Sequence, residues 1–208
     1  MPSALPTGEP APADGRLPDG ALAGLGERPF GLYVHVPFCT VRCGYCDFNT
    51  YTAEELGPGA SRATYAASAI TEIRWARQVL GDIELPVSTV FLGGGTPTLL
   101  SPGDLGAVLA AIASEFGLAR GAEITTESNP DSVAAWDLER LREVGFNRIS
   151  FGMQSAVPHV LATLDRTHDP LRVPAVVEWA RAAGFDHAGG GSISLDLIYG
   201  MPGESLTD

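Results

Sequence analysis

The sequence predicts an α/β fold on a parallel sheet, and three features carry that expectation. Short apolar runs alternate with longer stretches of helical period from residue 31 onward. Most of the helical stretches stop on a glycine. Polar residues gather just after the apolar runs, at the strand ends where parallel α/β barrels place their active sites. Strand–helix alternation implies right-handed crossovers, and so strands that all run one way.

Pro, Gly and Ala dominate residues 1–29, and no core-forming period runs through them. Such a segment buries too little apolar surface to offset the entropy of ordering it, so a disordered leader is expected ahead of one folded domain over 30–208. Gly31 to Val36 reads as the first strand. A helix over about 61–80 sets Ala66, Ala69, Ile70, Ile73, Ala76 and Leu80 on one face, with Gly81 as its stop. Val87 to Leu92 is an apolar run of the kind buried in a parallel sheet, and Gly93-Gly94-Gly95-Thr96-Pro97-Thr98 turns out of it. Ser101 as cap and Pro102 at the first helical position start the next helix. Leu105, Val108, Leu109, Ile112 and Phe116 face inward, and Gly117 closes it.

Ala122 to Glu127 is the third strand, followed by Ser128-Asn129-Pro130-Asp131 and a helix over about 135–144 that ends at Gly145. Arg148 to Phe151 is the fourth strand and runs into Gly152-Met153-Gln154-Ser155. Helical pieces over 157–164 and 170–183 end at Gly184. Gly189 to Gly191 is a hinge into the fifth strand, Ser192 to Ile198.

Composition narrows the function classes. An apolar content of 45% and a charged content of 18% are ordinary for a globular domain. A formal net charge of −12 argues against nucleic acid, whose backbone calls for clustered lysine and arginine. It argues equally against a basic membrane-surface patch. No apolar run reaches the ~20 residues of a membrane span, and the N-terminus lacks a signal-peptide pattern. A cytoplasmic protein is expected, in a reducing compartment that suits free thiolates.

All three cysteines fall in one loop after the first strand, at Cys39, Cys43 and Cys46, spaced C-x3-C-x2-C. A thiolate group this tight points to a metal. Three thiolates can hold three irons of a [4Fe–4S] cube and leave the fourth iron open, whereas an electron-transfer cluster asks for four cysteines. Two other readings stand beside it: a structural Cys3His zinc site with His35 as fourth ligand, and a disulfide with a spare thiol, which fits a cytosolic chain poorly.

The spacing, with the aromatic Tyr45 before the third cysteine, resembles the signature of the radical SAM superfamily. The wider string Tyr33-x-His35-x-Pro37-Phe38-Cys39 resembles the oxygen-independent coproporphyrinogen III oxidases and the related haem chaperones. The resemblance implies an open (β/α)6 barrel. Five strands are counted here, so an incomplete barrel is expected, truncated before the sixth strand and the family's C-terminal domain. It also implies S-adenosylmethionine bound to the open iron, where one electron breaks a C–S bond to give a 5′-deoxyadenosyl radical.

Site residues follow from the same resemblance. Tyr33, Tyr45, the backbone of Gly94, Gly95 and Thr96, and Glu127 at the family's offset past the glycines would meet the first S-adenosylmethionine. Gln154, Arg166 and Asp196 match positions that contact a second one, though the Gly189–Gly191 region shifts the offset of Asp196 from Arg166. On residues alone, Glu127 could be a solvated strand end, Gln154 a helix cap and Arg166 a surface cation. Asp196, set between Leu195 and Leu197, is expected to be paired at the barrel mouth, because a lone buried carboxylate is expensive. Phe38 and Phe48 are expected to shield the cluster.

The authentic oxidase carries a further cysteine two residues after the third, and here that position is Phe48. Cys46-Asp47-Phe48 resembles the haem-chaperone branch, which implies haem or porphyrin as ligand, a haem-accepting respiratory protein as partner and a reducing electron donor. Radical decarboxylation of coproporphyrinogen III is the alternative, and a zinc-stabilised interaction module is a third. His159, His168 and His187 lie in no motif and are given no haem role.

Overall fold

The computed structural model describes residues 12–56 and 61–208. Residues 1–11 of the expected leader lie outside the described residues. Between 12 and 29 the chain makes turns and one short helix, α1 (Asp19–Leu22), and Leu25 packs against the core. Then come β1 (Phe30–Val36), α2 (Arg62–Leu80), β2 (Val87–Gly94), α3 (Pro102–Phe116), β3 (Leu118–Ser128), α4 (Ala135–Glu143), β4 (Arg148–Gln154), α5 (Pro158–Thr163), α6 (Arg172–Ala182) and β5 (Ser192–Leu197).

The five strands form one sheet in the order β1-β2-β3-β4-β5, and every adjacent pair is parallel. That order needs a crossover between each pair, which α2 to α6 supply. Local chemistry explains where the helices begin. The Ser61 side chain accepts the Ala63 N–H at 3.0 Å at the start of α2. Ser101 accepts the Asp104 N–H at 3.1 Å and donates back to its carboxylate at 2.7 Å, with Pro102 behind it. Gly117, in a left-handed conformation, turns α3 directly into β3.

β3 therefore starts at Leu118, four residues ahead of the expected Ala122. Leu118-Ala-Arg-Gly has no apolar alternation to mark it as a strand. It is held by the Val87–Leu118 pairing, across an irregular register.

The core lies on one face of the sheet. Val36, Val90, Leu92, Ile124, Ile149 and Phe151 are buried against the inward faces of the helices. Each fully buried Phe, Leu or Ile contributes about 1.5–3 kcal/mol relative to exposure, so this layer holds the sheet in place. The opposite face differs from the expectation for β2 of a run buried on both sides. The register aligns Tyr33 with Phe91, Phe91 with Thr125, Glu127 with Ser150 and Gly152 with Asp196. That face, with Thr125, Glu127, Ser150 and Asp196 on it, is thus largely polar toward the strand C-termini.

Candidate active site

The cysteine loop is fixed at both ends. At its base, Gly95 N–H donates to the Val36 carbonyl at 2.8 Å and Thr96 N–H to the Phe38 carbonyl at 2.7 Å. Cys39 N–H donates to the Tyr51 carbonyl at 3.0 Å, and Tyr51 N–H to that of Pro37 at 2.8 Å. At its tip, Gly44 N–H donates to the Leu164 carbonyl at the end of α5, at 3.2 Å. A loop tied to β1, β2 and α5 carries its three thiols to the strand C-termini.

There an open cleft of about 150 Å³ lies at the strand ends. Cys39, Cys43, Cys46, Tyr45, Gly94, Gly95, Thr96, Glu127, Gln154, Arg166 and Asp196 all line it. Tyr33 does not. Its ring stacks on Phe91, and its hydroxyl meets His35 Nδ1 at 2.8 Å. Phe48 lines the cleft but is 62% exposed, whereas Phe38 is buried beneath the loop.

His35 stands apart from the thiols. Its Nε2 faces the Asn49 carbonyl at 2.8 Å. A carbonyl only accepts, so Nε2 carries the proton and, in the neutral ring, Nδ1 accepts from Tyr33. Both nitrogens are engaged, and the ring braces the far end of the cysteine loop instead of joining the thiols. Among the described residues no three His, Cys, Asp or Glu side chains converge on a single-ion point. Cys39, Cys43 and Cys46 share the cleft without His35, which leaves a Cys3His zinc site short of its fourth ligand.

Burial pushes the Cys39 thiol above its ordinary value, and the nearby Cys46 and Cys43 thiols add to that against pull from the Thr50 and Thr96 hydroxyls. The Cys39 thiol ionises more readily beside positive charge, which a bound metal cluster provides. Burial raises Tyr45 to about 12, against the lowering influence of Arg166. Burial also raises the Glu127 carboxyl, with Asp196 adding to the rise and the Gly94 N–H and His35 pulling it down. Asp196 is exposed and accepts from Ser150 Oγ at 2.9 Å, so the expected partner is a hydroxyl at an open rim.

The cleft also concentrates strain and unmet polarity. Gln154 (φ 56°) and Asp165 (φ 51°) are the two non-glycine residues with left-handed backbone among the described residues, and both line it. Such conformations cost about 1–3 kcal/mol and cluster at ligand sites. The β4–β5 register slips between Gly152 and Gln154, where the chain turns Gln154 inward. Gln154 Oε1 and Arg166 Nε are buried without a hydrogen-bond partner, as groups that await a ligand are. The donor set, the glycine edge and these orphaned atoms fit a cluster with a polar ligand beside it. Sequence reasoning missed Asp165, Asn129 and Thr167 as lining residues; their closeness to Arg166 and Glu127 in the chain was the available signal.

Among the described residues no helix is long and apolar enough to cross a membrane. A family model described as the radical SAM superfamily matches residues 33–208. The heme chaperone HemW of Mycobacterium tuberculosis is 44% identical over 195 residues, covering 90% of this chain and 46% of that protein. Heme chaperone HemW of Escherichia coli is 33% identical over 181 residues, covering 86% and 45%. Among solved structures, the coproporphyrinogen III oxidase HemN of Escherichia coli superposes with a TM-score of 0.74 at 31% identity, over 89% of this chain and 40% of that one. The chain spans about half the length of the curated relatives it matches. A family match that runs from β1 to the last residue, on a parallel sheet whose one described thiol cluster sits at the strand ends, makes this chain a member of the radical SAM superfamily, whose proteins work with a [4Fe–4S] cluster and S-adenosylmethionine.

Proposed function

We propose that this chain is the cluster-bearing part of a haem-chaperone-like radical SAM protein that binds haem or a porphyrin and passes haem to a respiratory acceptor in the cytoplasm. The observation that carries the reading is the 44% identity, over nearly the whole chain, to proteins named heme chaperone. Phe48 at the position where the oxidase carries its extra cysteine supports it as well.

In this reading Cys39, Cys43 and Cys46 hold the cluster. Gly94, Gly95, Thr96 and Glu127 hold S-adenosylmethionine. The N–H groups of Gly94, Gly95 and Thr96 are taken by Glu127, Val36 and Phe38, so this edge has backbone acceptors rather than donors to give an ammonium group. Glu127, Asp165 and Asp196 bring three carboxylates to the cleft against one guanidinium, Arg166, a balance that favours a cationic ligand. Tyr45, Gln154, Arg166 and Asp196 stand where they would meet the nucleotide or a second molecule of it, and Tyr33 acts through His35. When bound, the cluster and nucleotide supply one-electron chemistry, fed by a reducing partner.

Oxygen-independent decarboxylation of coproporphyrinogen III is the second reading, favoured by a Synechocystis relative of that name, 34% identical over 185 residues. Haem titration followed by transfer to an apo-acceptor, run beside a coproporphyrinogen turnover assay, separates the two. Haem binding and transfer without a vinyl product is expected. Turnover to protoporphyrinogen would replace the proposal with the second reading.

A further inference from the structure

Arg166 follows α5 and turns its guanidinium into the cysteine loop. Nη1 donates to Cys43 Sγ at 3.5 Å, and Nη2 donates to the Gly152 carbonyl, which fixes the plane of the group. Arg42, Arg74, Arg140 and Arg172 each lie against a carboxylate. Among the described residues Arg166 makes no such pair. Asp165, its neighbour in the chain, sets its carboxylate against Gly44 instead. His168 is buried nearby with neither ring nitrogen bonded. The positive charge of Arg166 is therefore delivered to one sulfur, with no carboxylate within ion-pair distance to cancel it.

We propose that Arg166 is a positioning residue for redox, giving a charged hydrogen bond to the Cys43 sulfur and so raising the reduction potential of the cluster held by the cysteine loop. The inference rests on the proposed reading that Cys43 is a ligand. Hydrogen bonds to cluster sulfurs and nearby charge are among the main levers on such potentials. The couple is the gain of one electron by the cluster, from 2+ to 1+, supplied by a low-potential one-electron reductant, with no bond made or broken. A cation beside the sulfur favours the more negative, reduced state.

The test uses the whole chain, reconstituted anaerobically as wild type, Arg166→Gln and Arg166→Lys. Iron and sulfide content are measured first, then the midpoint potential by dithionite titration followed by electron paramagnetic resonance. Arg166→Gln is expected to disfavour reduction about tenfold, a shift of about 59 mV to more negative potential for one electron. Arg166→Lys keeps the charge but loses the fork, and is expected to fall between. A loaded Arg166→Gln protein at the wild-type potential overturns the inference. If that variant takes up no cluster, Arg166→Lys decides: a negative shift supports it, and an unchanged potential overturns it. Wild-type protein that binds no iron and sulfide fails the underlying reading instead, and removes the inference with it.

Discussion

The Glu127 carboxylate accepts the Gly94 N–H at 2.9 Å, tying the end of β3 to the glycine edge of β2. Burial raises this carboxyl, so the folded state holds its proton more tightly than the unfolded chain does. Stability from that difference is fully present below the unfolded value, about 4.3, and is lost as pH rises through the higher folded value. Wild type is therefore expected to lose stability relative to Glu127→Gln as pH climbs through that window. Urea midpoints of both proteins across it check the sign; a wild-type advantage that grows with pH contradicts it.

Two glycines of the same edge are held by space rather than by ligand. Gly94 has φ 112°, and a Cβ there would sit 2.6 Å from His35 Nδ1; at Gly95 it would sit 2.9 Å from the Phe38 carbonyl carbon. Gly94→Ala and Gly95→Ala are each expected to destabilise by about 1–3 kcal/mol or more. Gly81→Ala, at φ 70° and ψ −157° with open space around it, carries backbone strain without a clash and is expected to lose less. Equal losses in denaturant melts would detach the glycine edge from the cysteine loop.

Tyr65 donates from its hydroxyl to the His35 carbonyl at 2.5 Å, and burial, with Glu72 and Tyr33 adding, pushes it up to about 12. A raised phenol contributes stability that is complete below its unfolded value, about 10, and is lost as pH rises toward 12. Tyr65→Phe is expected to lose about 1 kcal/mol at neutral pH and to show a shallower alkaline decline than wild type. Ultraviolet titration of the phenols should show Tyr45 and Tyr65 ionising last.

The architecture was legible because its signals are local. Ser101-Pro102 and Gly117 bracket α3 where the sequence placed it, and five apolar runs mark five strands. Local signals run out where contacts are made between distant parts of the chain. The polar face depends on alternation summed across strands, so Val87–Leu92 looked buried on both sides. Cys43 and Arg166 meet across 123 residues of chain, and no spacing rule reports that. Asp196 faces the cleft with a partner as its place between two leucines suggests, but no local pattern says that the partner is the Ser150 hydroxyl or that the carboxylate is exposed on the outermost strand of the described sheet. The His35 brace, with its ring filling the place of a Gly94 side chain, leaves no trace in composition or period.

The cysteines should not be interchangeable with serine. Cys39→Ser, Cys43→Ser and Cys46→Ser are each expected to abolish or sharply reduce iron uptake while leaving the helix-side core intact, because the three side chains line the cleft and are not part of that core. Iron analysis beside circular dichroism checks both halves.

Anaerobic reconstitution tests the three-thiol cluster and its open iron. A brown protein with about four irons and four sulfides per chain is expected, with a reduced paramagnetic signal that changes when S-adenosylmethionine is added. A colourless protein holding one zinc, or a cluster whose signal ignores the nucleotide, contradicts it.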